Sequence, residues 1–184
     1  RLILMTALPV LWGARLTYNF YRKDGYNMST EDYRWIHVRQ MFDYPNRVVI
    51  WHLFNFFFTA LLQNYILLGL VVPMWKSLGS RSPLNQADIA IGCAYLFFIL
   101  IEIVADQQQW NFQTRKYEWL ASKKGGKSFE PGEIEDFRRG FLIKGLFAYS
   151  RHPNFFAEIS IWWTYYLFSV SSQLPINQFG LVSL

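Results

Sequence analysis

Between Val48 and Trp75 the chain carries no Asp, Glu, Lys or Arg. A spanning helix needs ~20 predominantly apolar residues, and this run exceeds that. Ala87 to Val104 is nearly as apolar, with Asp88 at one end and Glu102 at the other, and Asn154 to Val170 and Leu2 to Leu16 are two further apolar stretches. A content of 52% hydrophobic and 17% charged residues suits either a soluble or a membrane class, so the distribution decides. The expected fold is all-α: a polytopic transmembrane helix bundle forming one domain over 1–184. Its spans are expected at about 2–20, 48–75, 87–105 and 154–171, with an incomplete last span from about 180.

The charges set an expected orientation. Segments 21–47 and 106–150 carry thirteen of the eighteen Lys and Arg residues, whereas the 76–86 connection carries Lys76 and Arg81. Short cytoplasmic loops are the basic ones, so the two long segments are expected on the cytosolic side of the endoplasmic reticulum, or on the matrix side of the mitochondrial inner membrane. Nucleic acid is a poor partner for these cations, because they alternate with carboxylates and attraction to anionic lipid already accounts for them. Cys93 lies in an apolar run and reads as a small packing residue. His37 and His52 have no second ligand at metal-binding spacing, so no metal is expected. The chain opens on Arg1 without a charged leader and cleavage site, which reads as a processed chain or part of a longer one.

Punctuation divides the rest. Lys23-Asp24-Gly25-Tyr26-Asn27 reads as a turn with Gly25 as its permissive residue. Ser29 and Thr30 are candidate caps for a short surface helix with Glu31 and Asp32 early and Arg34 and Arg39 late. Pro45-Asn46 precedes the longest span and Pro73 is expected to end it. Asn55, Gln63 and Asn64 within it read as interhelical glue. Lys123 to Ser128 lacks phosphate-loop spacing and reads as a basic connector; Pro131 to Gly140 follows as a short charged stretch.

Two constellations carry chemistry. In Ser150-Arg151-His152-Pro153-Asn154-Phe155-Phe156-Ala157-Glu158, Pro153 favours the first helical position, which places Ser150, Arg151 and His152 at a helix mouth. Unpaired N–H groups, the positive dipole end and a guanidinium there suit a phosphate or a carboxylate. Asn154 and Glu158 share a face one turn apart, and an ionisable group at membrane depth faces a cavity or a partner by default. The second constellation is Glu102 and Asp106, also one turn apart, followed by Gln107, Gln109 and Arg115; an interfacial Asp106 paired with Arg115 or Lys116 is the plainer alternative.

The Ser150–Glu158 string resembles the Ser-Arg-His-Pro-Asn-Tyr-Phe-Gly-Glu signature of membrane proteins with a steroid 5-alpha-reductase-like C-terminal domain. Leu11 to Phe20, Glu31 to Trp35 and Glu102 to Gln108 agree in the same order. Arg-His-Pro by itself is shared with isoprenylcysteine carboxyl methyltransferases. The resemblance implies a helical membrane bundle binding NADPH and transferring hydride to a conjugated double bond of a steroid or other lipid. It implies that Glu102, Asp106, Arg115, Tyr149, Arg151, His152, Asn154, Glu158 and Trp162 line or approach the cofactor pocket. Phe155 replaces the signature Tyr, Ala157 replaces Gly, and the family's terminal helices lie outside this sequence. Two alternatives therefore stand: a non-catalytic subunit packing against neighbouring membrane subunits with a phospholipid at Arg151, and an S-adenosylmethionine-dependent methyltransferase.

Overall fold

A computed structural model describes residues 1–27, 33–41, 47–79, 83–122 and 128–172. Among them every regular element is helical and there is no strand. The expected cap at Ser29 and Thr30, the acidic pair Glu31 and Asp32, Pro45-Asn46, the connector 123–127 and the short final span lie outside the described residues. The contacts divide the described residues into two units, 1–83 with 168–172, and 84–167.

In the first unit, α1 (Leu2–Arg22) is followed by a turn and by α2 (Tyr33–Met41). The turn differs from the sequence expectation: Asp24 takes the positive φ of 58°, and Gly25 is needed for room, since a Cβ there would stand 2.5 Å from the Phe20 ring. Next comes one continuous rod made of α3 (Arg47–Phe54), a π-helical stretch (Asn55–Leu62) and α4 (Gln63–Leu78). Phe54 stacks on Phe58 with ring centres 5.0 Å apart, and Trp35 of α2 meets Trp51 edge-on at 6.1 Å. Pro73 does not end this helix, which runs on to Leu78. Proline withholds the N–H that would bond the Gly69 carbonyl and crowds that carbonyl, yet the turns on either side keep their own bonds and the helix continues; the Ser77 hydroxyl adds a bond to the Pro73 carbonyl at 3.0 Å. The amides of Asn55 and Asn64 do not reach across helices; each donates to its own helix, to Trp51 O and Ala60 O.

In the second unit, α5 spans Gln86–Ser122, about seventeen residues past the expected end at 105. The apolar run stops there, but no Gly or Pro follows until Gly125, so the helix continues as a polar rod. Asp88 and Asn85 close its start reciprocally: the Asn85 side-chain oxygen accepts from the Asp88 N–H at 2.8 Å, and the Asp88 carboxylate accepts from the Asn85 N–H at 3.0 Å. Then come α6 (Pro131–Arg139), a single 3-10 turn (Gly145–Ala148) and α7 (Pro153–Ser171), which starts at the proline the sequence marks. The buried residues of α5 follow one stripe, Gly92, Tyr95, Ile99, Glu102 and Phe112 among them. On it Phe98 meets Phe156 at 6.1 Å and Tyr95 meets Tyr165 at 6.4 Å, so α5 and α7 run against each other.

Among the described residues, length and composition single out two helices able to cross a membrane, Val48–Leu78 with 31 residues and Gln86–Ser122 with 37.

Candidate functional site

The polar half of α5 is a platform on which α6 and the approach to α7 are built. Proline opens α6, Glu133 lies in its first turn, and Arg138 and Arg139 lie in its last, all favourable to the helix dipole. Gly140 ends it at φ 91°, the left-handed cap that glycine adopts without penalty. Phe137 is buried and holds α6 down, its ring centre 5.8 Å from both Phe112 and Trp119 of α5 and 6.1 Å from Phe129.

Two ion pairs fasten the same helix. Arg115 meets Glu133 at 2.8 Å, and Lys144 meets Asp136 at 2.6 Å while Arg139 bonds the other oxygen at 2.9 Å. The Arg115 hydrogen bond holds the Glu133 carboxyl below the usual carboxylate range, and the Lys144 hydrogen bond does the same for Asp136. The Asp136 partner in turn raises Lys144. Asp106 therefore does not take Arg115, and the Lys116 ammonium donates to the Gly140 carbonyl at 3.3 Å. Beside these pairs a pocket of about 360 Å³ is lined by Gln108, Arg115, Glu133, Asp136, Lys144 and Gly145 with Phe112, Phe137, Asn111 and Leu142. Its wall turns on Gly145, at φ 63°, and on Gln108, whose side-chain oxygen accepts the Leu146 N–H at 3.0 Å.

A second pocket of about 340 Å³ shares Leu142 with the first and lies at the start of α7. Arg151, His152 and Asn154 line it with Gln109 from α5 and Phe141, Phe147 and Leu142 from the connection. The Arg151 guanidinium sits 5.9 Å from the centre of the Phe141 ring. The Ser150 hydroxyl accepts the His152 N–H at 3.2 Å, and the first helical bond of α7 runs from Phe156 N–H to His152 O at 3.0 Å. The amides ahead of Phe156 are thus left at the helix mouth. One turn inward, the Trp162 indole N–H donates to the Glu158 carboxylate at 2.8 Å. Glu102 is buried on the α5 stripe and Asp106 is half-buried one turn closer to Gln109.

The structure thus sorts the residues singled out from the sequence. Arg151, His152 and Asn154 share one pocket; Arg115 belongs to the neighbouring one; Glu158 and Trp162 are bonded to each other below. Tyr149 is 91% exposed and lines neither pocket. Gln109 is in the constellation that the sequence marks after Glu102 and Asp106, whereas Gln108, Phe141, Phe147, Glu133, Asp136 and Lys144 are not among its candidates. Gln108 directly follows the Glu102–Asp106 face and is within reach of helical periodicity, whereas the pairings of Glu133 and Lys144 depend on how the connection folds back.

No solved structure matches this chain. Uncharacterized protein C594.04c of Schizosaccharomyces pombe is 38% identical to it over 180 residues, which cover 96% of this chain and 51% of that protein, so the chain spans about half of that relative's length. Residues 1–183 match the family described as proteins of unknown function, DUF1295. The chain belongs to the DUF1295 family.

Proposed function

We propose that this protein is a membrane-embedded, NAD(P)H-dependent reductase of a conjugated double bond in a steroid or other lipid. The membrane part of the reading rests on the most apolar window of Val48–Leu78, none of which is buried within the protein. Phe56, Phe57, Leu67, Leu68 and Trp75 are all exposed there, a surface that water penalises and a bilayer does not. At 1.5 Å per residue α5 is ~55 Å long against a hydrocarbon core of ~30 Å, so its polar half projects out of the bilayer and carries both pockets with it. α1 and α7 supply the remaining two spans of a four-span bundle, and the basic segments face the cytosol or matrix.

The observation that carries the catalytic reading is the second pocket, where a guanidinium, an imidazole, two side-chain amides and a helix mouth converge between two phenylalanine rings. That donor set fits a phosphorylated, ring-bearing ligand, and the volume accepts one end of a dinucleotide. Arg151 and the α7 amides would hold a phosphate; Gln109 and Asn154 would meet ribose hydroxyls; Phe141 and Phe147 would flank a ring. Glu158 and Glu102, deeper along the same two helices, supply acceptors for a carboxamide N–H. When bound, the nicotinamide supplies hydride to the lipid double bond. The chain's own residues orient it and, through the apolar walls of α5 and α7, exclude water.

Titrating the purified protein in lipid nanodiscs with NADPH and, separately, with S-adenosylmethionine tests this reading. NADPH is expected to bind and an added lipid enone to oxidise it. Binding of S-adenosylmethionine instead, or of neither, refutes the reductase assignment.

A further inference from the structure

From Phe137 to Ala157 the chain carries Arg138, Arg139, Lys144 and Arg151 and not one Asp or Glu. α5 fixes the depth at which this stretch sits. Its apolar run ends at Val104, and at ~1.5 Å per residue Gln108 and Gln109 lie ~6–8 Å beyond that point, about the depth of one headgroup layer. Gln108 accepts the Leu146 N–H, and Gln109 lines a pocket with Phe141, Phe147 and Arg151, so the connection between α6 and α7 is held at that level. α6 stands further out, since Phe137 packs on Phe112 and Trp119, ~12 and ~22 Å past Val104. At headgroup depth the connection holds apolar side chains outward: Tyr149 is 91% exposed, Phe141 50% and Ile143 40%. Arg138 and Arg151 are exposed with them and pair with no carboxylate among the described residues, the Arg151 guanidinium lying over the Phe141 ring.

We propose that the outward face of this connection is a docking surface for the anionic phospholipid headgroups of the adjoining leaflet. Water penalises rings held out with nothing over them, whereas a tyrosine, apolar in its ring and polar at its tip, suits the membrane–water boundary. The charge selects the lipid. A zwitterionic headgroup offers these guanidinium groups no net attraction, but an anionic leaflet adds about fivefold in affinity per cation near its surface. Docking there reaches the pockets, because Leu142 of the same connection lines both of them, and lipid on the outward face braces their shared wall. The inference rests on the membrane part of the proposed function and is independent of the dinucleotide.

The test uses the full chain, without dinucleotide, in nanodiscs of phosphatidylcholine alone and of phosphatidylcholine mixed with phosphatidylserine. Amide exchange over 141–151 is expected to be about tenfold slower with the anionic lipid, an effect that fades in high salt. Arg138→Gln breaks no ion pair among the described residues, so it should shrink the lipid effect to about twofold at an unchanged melting temperature. A spin label at Tyr149→Cys, in a Cys93→Ala background, should be shielded from a water-soluble nickel relaxant, whereas the same label at Glu135→Cys on α6 should not. Equal exchange in the two lipids, a full lipid effect in Arg138→Gln, or a label at 149 as open to nickel as the one at 135 overturns the docking surface. Protection that appears only when a second protein co-purifies overturns it in favour of a protein partner. NADPH binding without a lipid effect sinks this inference alone, and a lipid effect without NADPH binding sinks the reductase reading alone. Release of the chain from native membranes by alkaline carbonate sinks the membrane reading on which both depend.

Discussion

Replacing Gly145 by Ala attacks the wall between the two pockets at one point, and its cost can be worked from two terms. At φ 63° an L-residue meets the left-handed penalty, about 1–2 kcal/mol. The added Cβ would also stand 2.5–2.6 Å from the side-chain amide of Gln108, which must then swing away and release the Leu146 N–H it accepts at 3.0 Å. Losing that part-buried bond costs about 1 kcal/mol. Together they give about 2–3 kcal/mol, or a fall in melting temperature of roughly 4–12 °C for a chain of this size. Gly13→Ala is the control: it lies inside α1 at ordinary φ with nothing within 4 Å of the new Cβ, so it should stabilise by about 0.5–1 kcal/mol. Thermal unfolding in one detergent, followed by tryptophan fluorescence, compares the two. Adding Gln108→Ala to Gly145→Ala should cost less than the sum of the singles, since the collision disappears and the backbone strain remains. Equal melting temperatures for the Gly13 and Gly145 variants, or strict additivity with Gln108→Ala, would refute the geometry described for this wall.

Phe137→Ala should cost about 3–5 kcal/mol by removing the ring that α6 buries against Phe112, Trp119 and Phe129, and limited proteolysis should then cut first within 123–145. The α6 fastening should also respond to acid with a defined sign. Asp136 and Glu133 have folded-state pKa values below their unfolded ones, so their contribution is complete above the unfolded value, about 4, and is lost as pH falls through the lowered folded values. Hydrogen exchange of α6 measured from pH 6 to pH 3 should rise only below about 4, and Asp136→Asn should remove most of that dependence. A cysteine placed at Ser128 should react with an impermeant maleimide from the cytosolic or matrix side, and labelling from the opposite compartment would reverse the orientation.

Some of this architecture is legible in residues, and the rest depends on contacts between segments distant in sequence. Pro153 marks the start of α7 because proline's fixed φ and missing N–H cost nothing at a first helical position. The pocket around Arg151, His152 and Asn154 follows from that start. The end of α5 was misjudged because hydropathy changes at Val104 whereas helicity needs a breaker, and none comes before Gly125. Arg115 pairs with Glu133, eighteen residues on, a pairing set by the return of the chain through α6 and invisible to local spacing. Asn55 and Asn64 looked like interhelical glue, but an Asn side chain reaches the carbonyl four residues back and bonds there.

The central claim is that the mouth of α7 receives the phosphate-bearing end of a nicotinamide dinucleotide. Calorimetric titration of NADPH into wild type and into Arg151→Ala, at two salt concentrations, tests it most directly. Saturable binding that weakens with salt, and that falls about tenfold or more in Arg151→Ala while the melting temperature holds, is the predicted result. Wild-type protein that binds no NADPH, or an Arg151→Ala variant that binds it as well as wild type, would contradict the account.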